Sequence, residues 1–280
     1  MIFAFLAMLT NSSNCIIYKT LADKRERNEL VIITLLIPSI VSILAVIGNW
    51  QLSISITTAI LLTVSLVIRF TTTSVYATLA KELEIHRLEI YIRLFLIVTL
   101  IIDILTKSYK LQIYNIVGIL LFIISVYLIS NNGTRNSNNG GVKISLKLIF
   151  LFVVACLLWG IKPYIFKVGL ALNCFNSETL LFIDFTVPVI YFTLKYKPKI
   201  TLDKDSFWKY SILGISKYLS LYLSNIAIAL VPVFIVASIN SSALFVISIL
   251  SLIFLNIRMN KYQWFGAFLA SISVLLITIQ

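Results

Sequence analysis

Apolar stretches of roughly 17 to 25 residues recur along the whole sequence, and this feature constrains the fold more than any other. A helix of that length crosses about 30 Å of hydrocarbon. Helices are favoured because a backbone in lipid must satisfy its polar groups within the segment, and the stretches lack the alternation of barrel strands. They predict an all-α membrane protein with ten transmembrane helices, at residues 2–21, 30–47, 56–79, 89–106, 112–130, 147–170, 179–194, 207–230, 232–255 and 263–280.

The composition agrees with a membrane protein and excludes several other classes. With 60% hydrophobic and 12% charged residues, the chain is too apolar for a soluble domain. The net charge is +12, but the basic residues lie mostly between the apolar stretches, where they orient membrane helices, so we expect no nucleic-acid partner. Cys15, Cys156, Cys174 and His86 show no disulfide or metal-ligand spacing. The sequence therefore predicts neither a metal site nor a cofactor.

The two halves of the chain are similar at an offset of 148 residues, on either side of an Asn- and Gly-rich linker at residues 131–145. The offset aligns several polar or glycine residues, namely Tyr114 with Tyr262, Gly118 with Gly266, Ser125 with Ser273, and Arg69 with Lys217. Five spans per half is an odd number, so the second half must enter the membrane in the opposite orientation. The sequence predicts two inverted five-helix repeats, residues 1–130 and 146–280, as in many secondary transporters.

Three segments resemble helices of EamA-type transporters in the drug/metabolite transporter superfamily: ACLLWGIKPYIFK, from Ala155, and the closing runs YNIVGILLFIISVYLI and YQWFGAFLASISVLLI. The resemblance extends over essentially the whole chain. It implies a ten-helix transporter whose central cavity is surrounded by helices one, three, four, six, eight and nine, with the seventh at the periphery. Two positions depart from the family: Tyr109 and Ile257 replace an acidic residue, and Asn11-Ser12 stands where the second half has Trp159-Gly160.

Two cations are predicted to lie deep in the membrane. Arg69 and Lys217 fall in the third and eighth stretches, where an ionisable side chain costs about 2.5–3.5 kcal/mol and marks a functional candidate. Because the offset makes them partners across the repeat axis, we expect them to line one cavity and to bind a carboxylate or phosphate of the substrate. The alternative is a structural role, with each cation paired to Asp103, Asp184 or backbone carbonyls.

Further polar and aromatic residues are candidates for the same site. Asn11 and Asn14 share a helix face and either bind substrate or join neighbouring helices. Asn240, in the ninth stretch, is expected to contribute to the same cavity. The other substrate-binding candidates are Lys162, which precedes the helix-kinking Pro163, and Tyr76, Trp159, Tyr164 and Tyr222, which either pack or form a cage for a quaternary ammonium.

Acidic residues within the stretches are few. Asp103 and Asp184 are candidates for carrying a coupled proton, although Asp103 lies near enough to a helix end to snorkel. Glu89 and Arg93 are four residues apart on one helix face and are predicted to form an ion pair.

The sequence thus predicts a secondary transporter, not an enzyme, that moves a small polar metabolite by alternating access. The metabolite is expected to be anionic or zwitterionic, such as an amino acid. The alternatives are a transporter of quaternary-ammonium or other cationic compounds and, in a different class, a membrane assembly factor or membrane enzyme. The expected partners are the small-molecule substrate, the lipid bilayer and coupled protons, with the protein a monomer or homodimer.

The membrane orientation is predicted differently by charge and by resemblance. Of the 23 Lys and Arg residues, 16 lie in odd-numbered connections and three in even-numbered ones. The positive-inside rule then predicts both termini outside, whereas the resemblance implies both termini in the cytoplasm. Heavy use of Ile, Asn and Lys is typical of AT-rich bacterial genomes and predicts a location in a bacterial cytoplasmic membrane.

Overall fold

The computed structural model describes residues 1–83, 88–89, 92–131, 146–197, 204–255 and 260–278. His86, Ile257 and residues 132–145 of the predicted linker lie outside these ranges. The described residues form helices and no β-strand, which confirms the all-α class for this part of the chain. The helices are α1 Ile2–Ala22, α2 Arg27–Val46, α3 Ile56–Glu82, α4 Phe95–Leu105, α5 Ile113–Asn131, α6 Leu146–Ala171, α7 Ser177–Tyr196, α8 Lys204–Leu230, α9 Val233–Ser241, α10 Ala243–Leu255 and α11 Lys261–Thr278.

Several of these segments have the length and composition of membrane spans. Among the described residues, six candidate spans are long and apolar enough to cross a bilayer, and α4 and Ile113–Ile129 of α5 are shorter apolar helices. Large apolar side chains cover much of the outer surface; Leu44, Leu120 and Phe254, for example, are more than half exposed. Such a surface is suited to contact with lipid tails. Because lipid offers no hydrogen-bond partners, the backbone groups of these segments are bonded within the helices.

Helix limits recur at the same 148-residue interval that aligns the two sequence halves. The limits of α3 fall on those of α8, and the first residues of α4 and α5 fall on those of α10 and α11. Some ends have visible local causes: the Ser55 side chain accepts a hydrogen bond from the Thr58 amide at the start of α3, which is an N-cap. The two halves therefore share several helix limits and not only residues.

The fourth and ninth predicted stretches are each interrupted, where the sequence predicted continuous helices. Arg93 and Leu94 form a turn before α4, and Ser242 separates α9 from α10. These breaks are also 148 residues apart. At the second one, the Ser241 and Ser242 hydroxyls donate to the carbonyls of Ala237 and Ile239, a bonding pattern that bends helices.

Helices α5 and α11 pack closely through two glycines. A methyl group on Gly118 would lie 2.8 Å from the carbonyl oxygen of Ser273, and one on Gly266 would lie 3.1 Å from that of Ser125. Small residues let membrane helices approach in this way. The contact is reciprocal, since the offset aligns Gly118 with Gly266 and Ser125 with Ser273, as expected of two elements related by a two-fold axis.

Replacing Gly118 by alanine is expected to destabilise this helix pair. The new methyl group meets a backbone carbonyl, which cannot rotate away as a side chain can, so we expect a loss of about 1–3 kcal/mol in the free energy of unfolding. Unfolding of the purified protein in mixed micelles measures it. Leu120→Ala is the matched control, because Leu120 lies on the same helix and is 55% exposed. An equal effect of the two substitutions would contradict the close packing.

Candidate substrate cavity

A cavity of about 280 Å³ lies among α1, α2, α3, α6, α7, α8 and α9 and the turn before α4. Nine of the twelve sequence-predicted candidates line it: Asn11, Asn14, Arg69, Tyr76, Trp159, Lys162, Asp184, Lys217 and Asn240. The remaining three, Asp103, Tyr164 and Tyr222, lie outside the lining. The structure therefore brings together side chains from both halves of the chain around one space.

A buried carboxylate joins two of the cations on the cavity wall. Asp184 is 1% exposed, and its Oδ2 lies 2.5 Å from Nζ of Lys162 and 3.3 Å from Nη2 of Arg69. Its Oδ1 accepts a hydrogen bond from the Ser65 hydroxyl at 2.8 Å. The Arg69 guanidinium also lies over the ring of Phe185, with Cζ 4.8 Å from the centroid. Both carboxylate oxygens of Asp184 are thus engaged within the protein.

The position of α7 differs from the one that the family resemblance implied. The resemblance placed the seventh helix at the periphery, whereas Asp184 on α7 lines the cavity. The reason is packing between the halves: α7 lies against α2 and α3, and its carboxylate reaches Arg69 on α3.

Lys217 faces the same cavity and is bonded to a backbone carbonyl. Its Nζ donates to the carbonyl oxygen of Thr34 at 3.2 Å, and no carboxylate of the described residues lies within 4.0 Å of it. The positive charges of Arg69 and Lys162 act on it. This side of the cavity therefore holds three cations and one carboxylate.

A second charged group lies where the ninth stretch is interrupted. The Arg93 guanidinium is 3.1 Å from Glu89, which confirms the predicted ion pair, and it also donates to the carbonyl oxygen of Asn240. That carbonyl belongs to the C-terminal end of α9, where helix carbonyls lack intrahelical partners and a cation is favourable. The Tyr76 hydroxyl donates to Glu89 at 2.8 Å.

Amides and aromatic rings complete the wall. The carbonyl oxygens of the Asn14 and Asn240 side chains are buried, with no hydrogen-bond partner among the described residues. The ring of Tyr76 packs edge-on against Tyr18 and Trp159, with centroids 4.7 and 5.9 Å apart. The three rings form a packed cluster. The two asparagine oxygens line the same cavity, where they can accept hydrogen bonds from a ligand.

The three candidates outside the lining have partners elsewhere in the protein. The Tyr164 hydroxyl donates to the carbonyl of Thr99 at 2.7 Å, and that of Tyr222 donates to Glu178 at 3.0 Å. Only two of the four aromatic residues proposed for a cage therefore reach the cavity.

Asp103 does not snorkel to the membrane surface. It is fully buried, and its Oδ2 accepts a hydrogen bond of 2.7 Å from the Phe234 amide. This amide is in the first turn of α9, whose donors lack intrahelical partners and attract negative charge. Asp103 thus caps α9 from α4.

Two charged lining residues were missed as site residues by the sequence analysis. Glu89 and Arg93 were predicted only as an ion pair, yet both line the cavity. The signal was present, because both fall within the fourth apolar stretch and ionisable residues inside a span are functional candidates.

Comparisons with known proteins give a family match for the second half of the chain and a likeness of fold for nearly the whole chain. The model of the EamA-like transporter family matches residues 146–279. No curated protein matches the sequence. Among 28 similar chains of solved structures, one crystal structure of a protein has a TM-score of 0.75 and 11% identity, covering 98% of this chain and 94% of that chain. At this identity the likeness shows the fold alone.

Proposed function

With residues 146–279 belonging to the EamA-like transporter family of the drug/metabolite transporter superfamily, we propose that the protein is a secondary transporter of a small anionic or zwitterionic metabolite, such as an amino acid. It moves the metabolite by alternating access. The observation that carries the proposal is the cavity lined by Arg69, Lys162, Asp184 and Lys217. Its cations outnumber its carboxylates, and a buried charge needs a partner.

The inverted repeat is the second part of the proposal. Residues 1–130 and 146–280 form two five-helix units of opposite orientation, in which α9 and α10 are the two parts of one broken span. Support comes from the 148-residue interval between helix limits and from the reciprocal contacts of Gly118 and Gly266. Rocking of one unit against the other exposes the cavity to each side in turn.

The charge of the cavity favours anionic substrates over cationic ones. A quaternary ammonium is attracted by an aromatic cage, but Tyr164 and Tyr222 lie outside the cavity, and Lys217 repels such a ligand. For proton coupling, Asp184 is the candidate that faces the cavity, whereas Asp103 is engaged at the start of α9.

Uptake by the purified protein in sealed liposomes tests the function. We expect accumulation of at least one labelled metabolite from a panel of amino acids, carboxylates and phosphate esters, above protein-free liposomes. An enzyme or assembly factor gives no accumulation of any of them, and uptake restricted to quaternary ammonium compounds supports the cationic alternative instead.

Reporter fusions test the orientation in the bacterial cytoplasmic membrane, where we place the protein. Since 16 of the 23 basic residues lie in odd-numbered connections, we expect both termini outside. A C-terminal alkaline phosphatase, which is active only outside, should then be active, while a C-terminal green fluorescent protein stays dark. The reverse pair of results contradicts the charge argument and matches the arrangement that the family resemblance implied.

A further inference from the structure

We propose that the cavity is built for a substrate with two negative charges, a dicarboxylate or a phosphate monoester, in preference to a monoanion or a zwitterion. The inference rests on the proposed transport function and narrows its substrate class. Dicarboxylates and phosphate monoesters are both compact dianions with several oxygen atoms that accept hydrogen bonds.

The charges of the lining residues give the first step. Four cations, Arg69, Arg93, Lys162 and Lys217, and two carboxylates, Glu89 and Asp184, line the cavity. Four minus two leaves an excess of two positive charges among the described lining residues. Arg93 is balanced by Glu89, so both excess charges belong to the group formed by Arg69, Lys162, Asp184 and Lys217.

Unused hydrogen-bond donors of this group give the second step. Arg69 is 8% exposed, and its Nε–H has no acceptor among the described residues. Lys217 has three N–H donors, and the only hydrogen bond it makes within the described residues goes to Thr34. A buried donor without a partner is costly, and a ligand with several oxygens supplies acceptors to both side chains together.

The energetics of buried charge give the third step. A buried cation that has lost its partner is strongly unfavourable. A monoanion compensates only one of the two excess charges, and a zwitterion brings a further cation that must also be placed. A dianion compensates both.

Ligand pairs that differ only in charge test the inference on the purified full chain. We propose calorimetric titration with dicarboxylates of increasing length, each compared with its half-amide, and with glycerol 3-phosphate compared with its methyl ester. Within each pair we expect the dianion to bind about tenfold more tightly or better. If a dicarboxylate binds more tightly than glycerol 3-phosphate, we assign the substrate to the dicarboxylates. If glycerol 3-phosphate binds more tightly, we assign it to the phosphate monoesters.

A second set of variants separates charge recognition from a structural role. Lys217→Gln removes one excess charge, so the preference for dianion over half-amide should fall by about tenfold, whereas damage to the fold weakens both ligands alike. Lys217→Arg should keep the preference. Lys81→Gln removes a charge from an exposed position near the end of α3 and should leave it unchanged.

Two results overturn the inference. One is equal or tighter binding of half-amides, or of zwitterions, in the wild-type protein; uptake of those compounds then leaves the transport function standing. The other is no binding of any dianion, which leaves the function standing if the liposomes still accumulate another metabolite. If they accumulate nothing, the function fails as well.

Discussion

Asp184→Asn is expected to destabilise the protein by about 3–5 kcal/mol, the usual cost of removing one partner from a buried ion pair. The carboxylate is 1% exposed and lies within 3.3 Å of both Lys162 and Arg69. The neutral amide leaves two cations in the interior without a counter-charge. Unfolding in mixed micelles measures the loss, and uptake in liposomes should fall with it.

An exposed carboxylate provides the control for this substitution. Asp23 lies 2.7 Å from Lys19, but its side chain is 57% exposed, and pairs of that kind contribute about 1 kcal/mol or less. Asp23→Asn should therefore have little effect. Adding Lys162→Met to Asp184→Asn removes one stranded cation and should restore part of the lost stability. If Asp184→Asn unfolds like the wild type, the buried group does not hold the two halves together.

The ion pair of Asp184 also shows where prediction from the sequence reaches its limit. The apolar stretches indicated the helices, and their charges pointed to Arg69 and Lys217, because an ionisable residue in a span stands out against an apolar background. The structural alternative in the sequence analysis offered Asp103, Asp184 and backbone carbonyls as partners of the two cations. In the structure Arg69 pairs with Asp184 on α7, more than a hundred residues away, and Lys217 donates to a backbone carbonyl. Such a pairing depends on how α7 packs against α2 and α3, and no periodicity along the chain records it.

The helix breaks are a second example. The predicted stretches at 89–106 and 232–255 are apolar overall, and the polar residues inside them, Arg93 in the first and Asn240 and Ser242 in the second, do not by themselves mark a helix end. In the structure, Ser242 interrupts one stretch and the turn at Arg93 interrupts the other, and Arg93 donates to the carbonyl of Asn240. A tertiary hydrogen bond between the two stretches and local serine hydroxyls thus accompany the breaks, and hydropathy along the chain records neither.

The glycine of the Trp159-Gly160 pair shows what a motif can and cannot predict. The sequence analysis used the pair only as a mark of resemblance. In the structure, a methyl group on Gly160 would lie 2.5 Å from Cβ of Val98, so the glycine lets α6 approach α4 while Trp159 faces the cavity. A physical reason for the motif appears only when the neighbouring helix is in place.

Lys217→Glu is expected to lower uptake of an anionic substrate by about a hundredfold or more, with little loss of stability. The substitution turns an excess of two positive charges into none, because it removes one cation and adds one carboxylate. The new carboxylate lies near Arg69 and Lys162, whose charges act on this position. It competes with the substrate anion for Arg69 and Lys162 and repels that anion, while an ion pair with either cation preserves the stability of the fold.

One measurement and two control variants separate substrate recognition from protein folding. The amount of folded protein extracted from the membrane, measured by size-exclusion chromatography, must be the same for the variant and the wild type. A loss of uptake then reports on substrate recognition. Lys81→Glu reverses a charge at an exposed site and should transport normally. Lys217→Arg keeps the charge and should retain part of the uptake. Normal uptake by Lys217→Glu at normal expression would remove Lys217 from the binding site, and with it the reason to regard the cavity as an anion site.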